Sequence, residues 1–177
     1  MKKVILLSKL TSKLSKKEIQ SIVKLKNSFW RWRIDKQLLW FKEKVQKTDK
    51  NILLLINNKL VGYTLMRKRK FYNNKKLIKY FYVDTVLIKK KFRGKNLAAD
   101  LILFVNKIIN KSKKHSFLTC QKENISFYKK FDWKTLPKNK FKIMDHKPNW
   151  FENNSSINGM TYNLKRKSKD KFHYYFN

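Results

Sequence analysis

The sequence predicts an α/β fold. Three observations carry that expectation. Apolar and aromatic runs at residues 51–56, 60–69 and 77–88 read as strands. Asn57-Asn58 and Asn73-Asn74 fall between those runs as turn signals, which joins them as hairpins. A strongly amphipathic stretch from Lys95 to Asn110 then reads as a helix following the longest strand.

The elements follow in order. Val4-Ile5-Leu6-Leu7 is a short first strand; its apolar run stops at Ser8-Lys9, too short for the core of a signal peptide. Ser15 and Glu18 have the spacing of a capping box, so a helix starts there and runs to about Asn27. Trp30-Arg31-Trp32-Arg33 connects it to a second helix over Asp35 to Gln46, with Leu38, Leu39, Phe41 and Val45 as its apolar face. Asn51–Ile56 is a buried strand and Leu60–Arg69 its returning partner, with Gly62 at a bulge. Leu77–Ile88 is the long strand. In the helix after it, Leu97, Leu101, Val105 and Ile108 share one face, which Ala98, Ile102 and Ile109 widen. Ser116–Cys120 is a short strand, Glu123–Lys130 a short helix, and Gly159–Leu164 a last strand. Residues 165–177 form a basic, aromatic-ended tail after a single domain over residues 1–164.

Composition bounds the function. The 177 residues suit one domain with a real core, and 42% hydrophobic content excludes a disordered chain. The net charge is +34, and only Arg31, Arg33, Arg67, Arg69, Arg93 and Arg166 of the 45 basic residues are arginine. Lysine is spread along nearly the whole chain, as in a lysine-coated soluble protein from an AT-rich genome. Nucleic-acid readers concentrate arginine or aromatics on one face. Nonspecific nucleic-acid binding at low salt is expected under either reading. Cys120 stands alone, so no disulfide framework exists and a reducing cytoplasm is the expected compartment. No apolar run approaches the ~20 residues of a membrane span. His115, His146 and His173 lack metal-ligand spacing, and no metal is expected.

The segment with chemistry in it runs from Val83 to Trp133. A strand ending at Ile88 enters the basic loop Lys89-Lys90-Lys91-Phe92-Arg93-Gly94-Lys95-Asn96, which opens the helix at Leu97-Ala98. A helix N-terminus leaves backbone N–H groups unpaired and attracts anions, and a glycine lets the backbone approach them. Asp84 is the only acidic residue between Asp49 and Asp100, and it sits inside an apolar strand where aspartate is disfavoured. By alternation it shares a face with Tyr80, Tyr82, Val86 and Ile88. A partly buried carboxylate there can accept a proton; a lysine or a backbone N–H satisfying it is the competing reading.

These residues resemble the GNAT superfamily of acyl-CoA-dependent N-acetyltransferases, well over residues 50–135 and elsewhere by element order. Its loop pattern is Q/R-x-x-G-x-G/A: Arg93 fills the first position and Ala98 the last, while Asn96 replaces the central glycine. Phe127-Tyr128-Lys129-Lys130-Phe131-Asp132-Trp133 is similar to the family's FYxKxGW segment, with Asp132 in place of glycine. The resemblance implies a mixed, mainly antiparallel sheet flanked by helices. It implies acetyl-CoA as co-substrate, held by Leu87, Ile88, Arg93, Gly94, Lys95, Asn96, Leu97 and Ala98. It implies Asp84 as general base and Tyr128 as the acid that protonates the CoA thiolate, in direct transfer to a primary amine. The family's cofactor-reaching asparagine position holds Gln121, and Asn124 is the nearest substitute. The acceptor's identity is not legible in the sequence; a small-molecule or peptide amine is expected, and the positive field weakly favours an anionic one. Trp30, Trp32, Trp40, Trp150 and Phe151 form either an aromatic acceptor rim or core. The chain is expected to be a monomer or homodimer. The competing class is a nucleic-acid-binding protein on a degenerate acetyltransferase scaffold, for which Asn96 and Asp132 are the best support.

Overall fold

The computed structural model describes residues 3–73, 76–144, 157–164 and 171–175. Two compact units divide the chain, Met1–Arg67 with Val83–Val105 and Lys68–Tyr82 with Asn106–Asn177. Strands are paired mostly antiparallel and helices flank them, as the α/β reading expects.

The first unit opens with β1 (Val4–Leu10), α1 (Lys16–Asn27) and α2 (Ile34–Lys44). Ser15 Oγ accepts from the Glu18 N–H at 3.2 Å and Glu18 Oε2 accepts from the Ser15 N–H at 2.8 Å, so the capping box forms in both directions. β2 (Lys50–Ile56) pairs antiparallel with β1, Val4 opposite Ile56. Asn57 and Asn58 turn the chain at φ 49° and 60°, the mirror-type hairpin turn that asparagine tolerates. The returning strand is β3 (Lys59–Asn73), longer than the sequence pattern suggests. Leu54 faces Gly62 and Leu55 faces Leu60, so Val61 is the extra residue of the expected bulge.

A Cβ on Gly62 would lie 2.7 Å from Ile88 Cδ1 and 3.2 Å from Leu101 Cδ1. The absent side chain is what lets the end of β4 (Lys76–Ile88) and α3 (Leu97–Ser112) close on β3. Ile22, Val23, Leu25, Phe41, Val45, Leu53, Tyr63, Leu65 and Leu87 form this unit's core. Leu39, expected on the apolar face of α2, is exposed. The face is set instead by Gln37 and Phe41, one turn apart, and by Val45 at the C-cap.

In the second unit β5 (Ser116–Gln121) runs parallel to β4, Phe81 opposite Ser116. Then come α4 (Ile125–Lys129), β6 (Lys134–Leu136), β7 (Phe141–Met144) and β8 (Ile157–Tyr162), the last antiparallel to both β5 and β6. β8 is not the last strand. β9 (Phe172–Tyr175) lies antiparallel to β3 and parallel to β7, so the aromatic end of the expected tail is sheet. Alternation explains it: Phe172 and Tyr174 point inward and are buried, while His173 is exposed. Their core partners are Phe71, Tyr80, Tyr82, Phe117 and Leu136, and the Phe117 and Tyr174 rings stack at 4.0 Å. Asn74 of the second turn signal, Trp150 and Phe151 lie outside the described residues, as does most of the 165–177 segment.

Candidate active site

The loop and Asp84 belong to the first unit. β4 ends with Leu87 and Ile88 buried, and the Lys89 N–H donates to the Val61 carbonyl at 2.8 Å as the last ladder bond. A single 3₁₀ turn over Lys90–Phe92 follows, then Gly94 at φ 74° and Asn96 at φ 56°. Both positive angles curl the chain so that it enters α3 from outside. The helix begins at Leu97, two residues later than expected, because Asn96 in the left-handed region cannot start it; the Asp100 N–H donates to the Asn96 carbonyl as the first helical bond. The N–H groups of the first turn, Leu97 and Ala98 among them, are left without intrahelical acceptors. Arg93 to Asn96 are exposed, and a Cβ built on Gly94 would meet nothing within 4 Å. Arg93 is anchored, its Nε donating to the Ile88 carbonyl at 3.2 Å and its guanidinium 4.8 Å from the centroid of the Phe29 ring.

Asp84 is not satisfied by a lysine or a backbone N–H. Thr85 Oγ1 donates to its Oδ1 at 2.9 Å and Arg67 Nη1 to its Oδ2 at 3.4 Å. Arg67 is buried and also pairs with the fully buried Asp49 at 3.9 Å, while its other terminal nitrogen donates to the Lys44 carbonyl. Thr85 has φ 66°, a strained value for a β-branched residue. That kink falls between Asp84 and Val86 and interrupts the expected alternation there: residues 84–86 are all half-buried.

Lys26 completes this cluster and was not singled out in the sequence. Its Nζ sits 3.4 Å from the Trp40 ring centroid and 5.8 Å from that of Trp30. Burial lowers its ammonium to about 8, with Asp84 opposing the shift and Arg67 adding to it. Its one sequence signal is a lysine interrupting the apolar stripe Ile22, Val23, Leu25 of α1. Trp30 and Trp32 are exposed, and Trp40 is half-buried beneath Lys26.

Tyr128 and Asn124 belong to the second unit. Asn124 precedes α4 by one residue and is exposed, and its side chain makes no capping bond. Tyr128 lies one turn on, buried between the rings of Phe127 and Trp133. Burial pushes its phenol well up, and the neighbouring Cys120 adds to the shift. Cys120 is itself raised to about 11 by burial and by Glu123, which leaves it a thiol rather than a nucleophile. Asp132 takes φ 64°. Asn106, also unflagged in the sequence, ties the segment down: its Nδ2 donates to the Phe131 carbonyl and its Oδ1 accepts from Trp133 Nε1, both at 3.0 Å. No group of three or more His, Cys, Asp or Glu side chains able to hold a metal ion occurs among the described residues.

The family described as Acetyltransferase (GNAT) domain matches residues 12–143, three quarters of the chain. The chain belongs to the GNAT acetyltransferase family. It is therefore an acyltransferase. Solved structures share the fold. Escherichia coli ElaA superposes with a TM-score of 0.63 at 14% identity, over 90% of this chain and 99% of that one. An acyl-CoA N-acyltransferase from Pseudomonas aeruginosa gives 0.64 at 11%, over 90% and 99%. The PaiA N-acetyltransferase of Thermoplasma acidophilum, solved in complex with coenzyme A, gives 0.55 at 15%, over 90% and 98%. No curated protein sequence matches the chain. Within the GNAT pattern, Asn96 and Asp132 stand where the family has glycine, and both adopt positive φ. Asparagine and aspartate are the residues that enter the left-handed region most readily after glycine. Both residues thus sit at backbone angles that glycine also takes freely.

Proposed function

We propose that this GNAT acyltransferase moves an acetyl group from acetyl-CoA directly to a primary amine of an anionic acceptor. The observation that carries the reading is the junction of β4 with α3. Gly94 at φ 74° leaves open space above the loop, and the free N–H groups of the helix start make an anion cradle. That chemistry fits a pyrophosphate, and the coenzyme A complex of the PaiA neighbour supports the fit. Arg93, Gly94, Lys95, Asn96, Leu97 and Ala98 would hold the phosphates. The main chain of Leu87 and Ile88 would take the pantetheine arm, and Asn124 would add a side-chain contact.

When bound, acetyl-CoA supplies an activated thioester. Asp84 accepts the proton of the attacking amine, directly or through water. Each of its oxygens has one neighbour, Thr85 or Arg67, and retains a lone pair for the amine. Arg67 fixes the carboxylate from the buried side. The family resemblance would give Tyr128 the role of proton donor to the departing sulfur, and burial keeps its phenol protonated. The +34 charge attracts an anionic acceptor and repels polyamines.

The test is CoA thiol release with a panel of amino-sugar nucleotides, amino sugars and acidic peptides, comparing the wild type with Asp84→Asn. Loss of a general base lowers turnover by roughly 10²–10⁴-fold. Acetyl-CoA should still stabilise the variant. Undiminished turnover in Asp84→Asn would remove Asp84 from the chemistry.

A further inference from the structure

We propose that Lys26 is itself an acyl acceptor, a self-acetylation site held on the Trp40 ring in one cluster with Arg67 and Asp84. The inference rests on the acetyl-transfer reading above and goes beyond it. Three observations within the first unit converge on this amine. Its Nζ is clamped 3.4 Å from the Trp40 centroid, with Trp30 at 5.8 Å. It interacts electrostatically with Asp84 of β4 and Arg67 of β3, and Arg67 is also paired with Asp49. Phe29, two residues past the end of α1, packs under the guanidinium of Arg93 in the loop. The segment at the end of α1 thus meets the loop that would hold the donor, and Lys26 shares the Trp40 ring with Arg67, the ion-pair partner of the carboxylate that would take the proton.

An amine near the general base is what the proposed reaction requires of any acceptor, and this chain carries one of its own in the Trp40–Arg67–Asp84 cluster. Burial brings Lys26 to about 8, which gives it roughly three hundredfold more free amine near neutrality than a lysine at its ordinary value. In the step, the Nζ lone pair forms a bond to the acyl carbon. The carbon–sulfur bond breaks with its electron pair on sulfur. Asp84 takes the proton from nitrogen, and the thiolate gains a proton in leaving as CoA. The product is an acetamide on Lys26 and one CoA thiol. The amide has lost the cation that Trp40 held, while Asp84 keeps its ion pair with Arg67.

The experiment incubates the full chain with acetyl-CoA carrying a ¹³C-labelled acetyl group and maps the label by peptide mass spectrometry. We expect label on Lys26 ahead of every other lysine. We expect it to vanish at that position in Lys26→Arg and to drop to the level of surface lysines in the Arg93→Ala, Gly94→Glu double variant. A label spread over surface lysines with no preference for Lys26, or an unchanged rate in the loop variant, overturns the proposal. The wild-type pattern decides alone if a variant fails to fold. A readout free of turnover is ¹⁵N NMR titration of the lysine Nζ groups without ligand. Lys26 should titrate well before the rest, and an ammonium persisting with the others overturns the proposal. Thermal stabilisation by acetyl-CoA with no label on Lys26 sinks self-acetylation and leaves the acetyl-transfer reading intact. Absence of both sinks the two together.

Discussion

Asn96 and His115 show how single side chains set the behaviour of this protein. Asn96 sits at φ 56° at the mouth of the loop. A β-branched residue there should cost about 1–2 kcal/mol of backbone strain, while glycine should cost nothing or stabilise. Urea unfolding of Asn96→Val and Asn96→Gly checks the order; equal stability would mean that the loop relaxes out of the left-handed region. His115 is buried against Tyr174, whose hydroxyl lies 3.1 Å from Nε2, and burial lowers its imidazole to about 3. Its folded value lies below the unfolded value of about 6.5. The unfolded chain therefore binds a proton that the native state refuses, and stability falls as pH drops from ~6.5 toward 3. The melting temperature of the wild type should fall across that window more steeply than that of His115→Gln. Parallel curves would contradict a neutral buried imidazole.

At the scale of elements, much was legible. The capping box, the Asn57-Asn58 turn, the bulge at Gly62 and the apolar stripe of α3 are local signals, and each forms as its spacing requires. Short strands whose partners are remote in sequence were not. β6, β7 and β9 have three or four residues each, too few for periodicity to speak, and β9 exists because Phe172 and Tyr174 find a core made of Phe71, Tyr80 and Phe117. The kink at Thr85 has no sequence signal either, since a β-branched residue is the last choice for positive φ. The strand-to-helix loop that carries Arg93 to Asn96 was visible in the pattern; the Lys26–Trp40–Arg67 cluster was not, because its members come from three elements and meet only on folding. Gly62 tests the element scale directly. Gly62→Ala drives a methyl into Ile88 and Leu101, and overpacking of that kind costs about 1–3 kcal/mol. Acetyl-CoA binding should weaken with it, since β4 and α3 both carry the loop. An alanine variant as stable as wild type would show that Ile88 moves aside freely.

For the molecule as a whole, family membership establishes the acyltransferase, and charge shapes what reaches it. A net charge of +34 gives any polyanion a salt-sensitive attraction. A donor gripped by backbone N–H groups is less exposed to screening than one held by surface lysines. No helix among the described residues is long and apolar enough to cross a membrane. The central claim is that the β4–α3 junction holds acetyl-CoA, and thermal unfolding at moderate salt with acetyl-CoA, CoA or ATP tests it most directly. Specific binding stabilises the native state by mass action, ~2.7 kcal/mol at a ligand concentration a hundred times Kd. The account predicts a rise in Tm with acetyl-CoA and CoA but not with ATP, abolished in the Arg93→Ala, Gly94→Glu variant. Equal shifts with all three ligands, or none with acetyl-CoA, would contradict it.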